Sequence, residues 1–89
     1  MKRLHLVISG RVQGVGFRYF CYEEAQRLGL TGYARNRPDG TVEAEVQGEE
    51  EALHAFKKAV EKGPRAARVS EIQNNEIEVQ TNEKAFSIS

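Results

Sequence analysis

The stretch Gly10-Arg11-Val12-Gln13-Gly14-Val15-Gly16-Phe17-Arg18 sets glycines and arginines directly before an amphipathic segment. Gly14 and Gly16 let the backbone pass through positive φ, which aims successive main-chain N–H groups into one hollow. A helix beginning at Phe17 adds its own unpaired N–H groups and about half a positive charge. No Ser, Thr, Asp or Asn stands just before Phe17, and Arg18 puts a cation in the first turn. Such a cation alone is unfavourable by a few tenths of a kcal/mol, roughly. A phosphate-like anion reverses the sign, because uncapped amides and a guanidinium converge on it. Arg18 then donates two parallel hydrogen bonds to phosphate oxygens. The same composition also suits a plain glycine-rich connection with an exposed arginine. Two other phosphate motifs are excluded: Phe17-Arg18 stands where a P-loop needs Lys-Ser/Thr, and Tyr19 stands where the dinucleotide fingerprint needs its third glycine.

The remaining reactive residue types carry less. Cys21 and Arg27 satisfy the Cys-x5-Arg spacing of cysteine-dependent phosphatases, but Tyr-Glu-Glu-Ala-Gln lies between them. That run has no glycine to form a loop and two glutamates to repel phosphate, and it reads as helix with Cys21 on the apolar face, where a buried thiol is inert. His5 and His54 have no ligand-like neighbours and read as surface residues. Asn36, just before Pro38-Asp39-Gly40, reads on local grounds as a turn residue. Strand alternation turns Arg35 and Arg37 away from it as solvated side chains.

These residues need elements to position them. Leu4, Leu6 and Ile8 alternate as a strand over 4–9. From Phe17 the period becomes helical, through Phe20, Cys21, Ala25 and Leu28, with Gly29 as a stop. Thr31–Arg37 and Thr41–Gln47 read as a hairpin around Pro38-Asp39-Gly40. A second helix runs from about Glu49 to Lys62, with acidic residues at its start and lysines at its end, as the helix dipole favours. Ala67, Val69 and Ile72 suggest a fourth strand, with Ile77 and Val79 extending it or following a break. Phe86 and Ile88 form a short final strand. The order β-α-β-β-α-β, with or without a fifth strand, predicts an α+β, ferredoxin-like sandwich: a mainly antiparallel sheet with two helices on one face, spanning residues 1–89 as a single domain.

The bulk properties narrow the function classes. Thirteen Lys and Arg balance thirteen Asp and Glu, so no whole-molecule field draws nucleic acid or a membrane, and anion binding must be local. No basic aromatic strand of the RNA-binding type is present. The single cysteine precludes an internal disulfide and fits a reducing compartment. No apolar run approaches a membrane span or signal peptide, so a cytoplasmic monomer is the default.

At this point the motifs match a family. Residues 10–18 closely resemble the signature loop of the acylphosphatases, and Gly32-Tyr33-Ala34-Arg35-Asn36-Arg37-Pro38-Asp39-Gly40-Thr41-Val42 resembles their second signature. The resemblance covers nearly the whole chain, including the terminal Phe86-Ser87-Ile88. It implies hydrolysis of acyl phosphates to a carboxylate and inorganic phosphate, with orthophosphate as product and inhibitor, without metal, cofactor or covalent intermediate. It puts the catalytic roles on Arg18 and Asn36, and the phosphate cradle on the main chain of Gln13, Gly14, Val15, Gly16, Phe17 and Arg18. Similar domains occur inside larger hydrogenase-maturation and carbamoyl-transfer proteins. This chain lacks their cysteine-rich zinc segments, so the small free-standing enzyme is the expectation. The alternative is a regulatory module that binds an anion without turnover. Ser89 departs from the aromatic or basic residue with which many members follow the Ile.

Overall fold

Leu6 and Ile8 are fully buried on one face of β1 (Lys2–Arg11), as their alternation predicts, in the computed structural model, which describes Met1–Ser89. Chain order continues with α1 (Phe17–Leu28), β2 (Thr31–Asn36), β3 (Val42–Gly48), α2 (Glu50–Lys62), β4 (Arg68–Ile77) and β5 (Phe86–Ile88). The sheet order is β4-β1-β3-β2-β5, antiparallel except where β5 runs parallel to β2. This is the ferredoxin-like arrangement expected, with the short terminal strand added at one edge. Phe17, Cys21 and Ala25 of α1 and Leu53, Phe56 and Val60 of α2 join Val42, Ala44 and Val46 of β3 in one core.

β4 resolves the ambiguous stretch. Ser9 pairs with Glu71 but Gly10 with Val69, so a bulge at Ser70 inserts one extra residue into β4. Val69 and Ile72, three apart, therefore both pack against the core. Val79 lies beyond the strand and is exposed.

β5 is too short to hold itself in place. Phe86, 4% exposed, packs its ring against Phe56 at 6.4 Å, a burial worth about 2–3 kcal/mol. Ser89 N–H then donates to Ala34 O at 3.0 Å, carrying the pairing with β2 to the last residue.

The sheet's other face is polar yet largely closed. Arg3 is completely buried there, with its guanidinium on Glu45 and Glu83, both at 2.8 Å, and on Gln47 Oε1 at 3.2 Å. Gln47 in turn accepts from Gln80 N–H and donates to Gln80 O. His5 Nε2 lies 2.6 Å from Glu43, which also accepts from Arg35. Burial alone would raise the Glu43 carboxyl, but those hydrogen bonds and charges outweigh it and hold it below the usual range. Desolvation and the neighbouring Glu45 push the Tyr33 hydroxyl up to about 12.

Candidate active site

The turn from β1 into α1 is made by glycine. Gly14 has φ 75° and Gly16, the N-cap of α1, has φ 77°, and no Cβ at either position would clash, so the requirement is backbone conformation. No side chain caps α1, and its first turn contains no acidic residue. Every main-chain N–H from Gln13 through Tyr19 lacks an acceptor within the protein; the first to find one is Phe20, which donates to Gly16 O at 3.0 Å. Adjacent donors at a helix start form an anion cradle.

A cleft of about 160 Å³ opens over this turn, lined by Val12, Gly14, Gly16, Phe17, Arg18, Tyr19, Asn36 and Ile88. It brings together the two polar side chains that the sequence put on separate elements, Arg18 on α1 and Asn36 on β2. Gln13 and Val15 do not line it. Val15 packs against the core, and the Gln13 side chain turns to the hairpin instead, donating to Arg37 O at 2.7 Å and Thr41 O at 2.9 Å. Tyr19 and Ile88, both exposed, give the cleft an apolar rim. A larger depression of about 820 Å³ lies beside Glu45, Glu76 and Glu78, but its carboxylates oppose an anion.

One contact went unseen in the sequence. Arg18 Nη1 donates to Ser89 O at 2.7 Å. The acceptor is main chain, so the residue type at 89 is immaterial to it. The same residue is bonded to Ala34, two positions before Asn36, so β2 places both polar groups of the cleft, Asn36 directly and Arg18 through Ser89. No protein acceptor takes the remaining N–H donors of Arg18.

Arg35 and Arg37 are solvent-accessible as expected, and each also carries an ion pair: Arg35 with Glu43, and Arg37 with Asp39 at 3.8 Å. His5 is bound to Glu43, and His54 is exposed on α2. The strand directions gather Arg11, Arg18, Arg37, Lys62, Arg65 and Arg68 at the cleft end of the sheet. The opposite end collects Glu49, Glu50, Glu76, Glu78 and Glu83, with Lys2 and Arg3 among them, paired to Glu50 and Glu83.

Cys21 is buried in the core, and desolvation pushes its thiol up to about 12. It is a packing residue and no nucleophile. Cys21→Ala is expected to keep kcat within about twofold and to lose on the order of 1 kcal/mol of stability. Parallel steady-state and thermal-melt measurements check this, and a collapse in turnover without a loss of fold would contradict it.

Comparison with known proteins bears on the family and the fold. The sequence model of the acylphosphatase family matches residues 4–88. An acylphosphatase of Geobacillus kaustophilus is 49% identical over 88 residues, covering 99% of this chain and 94% of that protein. The crystal structure of acylphosphatase from Bacillus subtilis superimposes with a TM-score of 0.96 at 40% identity, covering 100% of this chain and 99% of that one. The structure of an acylphosphatase from Coxiella burnetii gives 0.94 at 33% identity, covering 99% and 92%. No helix is long and apolar enough to cross a membrane.

Proposed function

This chain belongs to the acylphosphatase family, and we propose that it hydrolyses acyl phosphates in the cleft between the β1–α1 turn and the end of β2, with Arg18 and Asn36 as its catalytic residues. The observation that supports the site assignment is that one cleft is lined by Gly14, Gly16, Phe17 and Arg18, whose main-chain N–H groups have no protein acceptor, together with the Arg18 guanidinium and the unpartnered Asn36 amide.

The chemistry follows from what these groups can do. A carboxylate is a good leaving group, so the carboxyl–phosphate bond breaks without a strong general acid. The work left to the protein is positioning and stabilising charge on the phosphoryl oxygens. The amides of residues 13–18 and the Arg18 guanidinium hold those oxygens, and the single hydrogen bond to Ser89 O restricts where the guanidinium sits in advance. Asn36 is not a base. Its carbonyl accepts from a water and its amide donates, which orients the water for in-line attack on phosphorus while a substrate oxygen takes the proton. The bond from water oxygen to phosphorus forms as the bond to the acyl oxygen breaks, leaving a carboxylate and orthophosphate. No step in this scheme calls on a metal.

Purified protein is expected to hydrolyse benzoyl phosphate in the presence of a chelator, with competitive inhibition by orthophosphate. Asn36→Ala should retain its fold and lose about 100-fold in kcat, the scale of a misplaced nucleophile. Orthophosphate binding without hydrolysis by the unaltered chain would instead identify an anion-binding module.

A further inference from the structure

We propose that the Gln13 side chain is a positioning residue that locks the phosphate loop to the hairpin carrying Asn36, and so sets the distance between cradle and attacking water. Gln13 sits in the loop immediately after Val12, which is 1% exposed and anchors that end of the loop in the core. Its amide points away from the cleft, and both of its N–H donors are used: one on Arg37 O at 2.7 Å, the other on Thr41 O at 2.9 Å. The reverse orientation would set the amide oxygen against two carbonyl oxygens, so the contacts themselves fix which atom is nitrogen.

These two carbonyls close the hairpin. Arg37 N–H donates to Thr41 O at 2.9 Å, and Gly40 N–H donates to Arg37 O at 3.1 Å. Each carbonyl therefore accepts one N–H from the hairpin and one from Gln13. Asn36 precedes Arg37 and pairs with Val42 in the last rung of the β2–β3 ladder. Its side chain is exposed and hydrogen-bonds to no protein group, so its placement depends on the main chain that Gln13 holds. No other side-chain hydrogen bond joins residues 10–16 to this hairpin. A side chain with two donors on one atom is the group that can clamp two carbonyls at once. Removing it frees the hairpin end to move relative to the cradle, and in-line attack is sensitive to shifts of this kind.

The test is a double-mutant cycle in kcat for benzoyl phosphate. Gln13→Met keeps the length of the side chain and removes both donors. It is expected to lower kcat about 10-fold, less than the full cost of a misplaced nucleophile, while leaving orthophosphate inhibition unchanged, because the loop amides and Arg18 stay in place. In an Asn36→Ala background the same substitution should have little further effect. A wild-type kcat in Gln13→Met, or an equal loss in both backgrounds, would overturn the inference. The inference rests on the reading of Asn36, which Asn36→Ala alone tests separately. Wild-type turnover there would overturn that reading and the coupling with it, whereas a slow Asn36→Ala beside a normal Gln13→Met overturns the coupling alone.

Gln13→Glu guards against a poorly folded Met variant. Ionised, it has no donor and sets a charge against two carbonyls; protonated, it regains one donor. Its kcat relative to wild type should rise as pH falls from about 7 to about 4, through the ordinary carboxyl range of about 4.3, and a flat ratio across that range would overturn the proposal.

Discussion

Arg18→Ala is expected to lower kcat for benzoyl phosphate by roughly 100- to 1,000-fold, the loss seen when a preorganised donor is removed from a transition-state oxygen. The direction follows from where the charge goes. The loop amides still bind a ground-state phosphate, but the phosphoryl oxygens lose their bidentate partner as the leaving carboxylate departs. The side chain lies at the rim of the cleft and contributes no core packing, so the melting temperature should change little. Arg18→Lys should recover only part of the loss, because an ammonium cannot reproduce the planar fork or keep both the Ser89 contact and two phosphate contacts. Turnover in Arg18→Ala within tenfold of wild type, with the fold intact, would remove Arg18 from the mechanism.

Arg3→Met is expected to have the largest effect on stability, and a small one on the chemistry. The Arg3 side chain is fully buried, while those of Glu45 and Glu83 remain 16% and 20% exposed. Removing the cation leaves two half-buried carboxylates and Gln47 without their shared donor. Breaking such a network costs about 3–5 kcal/mol, and the partial exposure of the carboxylates puts the expected value near the lower end. For a domain of this size a loss of about 3 kcal/mol lowers the melting temperature by roughly 12–24 °C. The network lies at the end of the sheet away from the cleft, so kcat below the transition should stay near wild type. Urea denaturation measures the loss directly, and a change below about 1 kcal/mol would mean that solvent screens the network as it does a surface pair.

Much of this molecule is legible in its sequence, for identifiable reasons. Two helices and four strands follow from hydrophobic period, and Gly14 and Gly16 take the positive φ that an anion loop requires. The electrostatic oddity of α1, with no cap and an arginine in its first turn, is local and so can be read from adjacent residues. What stays hidden is non-local. The Ser70 bulge breaks the period of two, so Val69 and Ile72 look out of phase until β1 is laid beside them. Glu43 and Gln47 alternate like solvent-facing residues, yet they are buried, because β3 is the central strand and long side chains from β1 and β2 close over it. Ser89 reaches Arg18 through its main chain, which leaves no trace in residue type. Gln13 reads as part of the phosphate loop by position, but its side chain serves the hairpin, a contact that exists only after β2 and β3 pair.

The equality of acidic and basic residues conceals a dipole. Lys2 and Arg3 offset part of the acidic end and Asp39 part of the basic one, but cations still outnumber acids around the cleft and acids outnumber cations at the far end, so a neutral protein has a direction along its sheet. An approaching phosphate-bearing anion of any kind therefore meets a torque before it meets a binding site, and encounters are biased toward the productive pole. The field reaches about 10 Å at 0.1 M salt, which spans the mouth of the cleft but little of the bulk. It also acts on departure, since orthophosphate leaving the cradle climbs the same potential that drew the substrate in. Salt thus works against capture and in favour of release, and the rate-limiting event at low ionic strength need not be the one that limits at high.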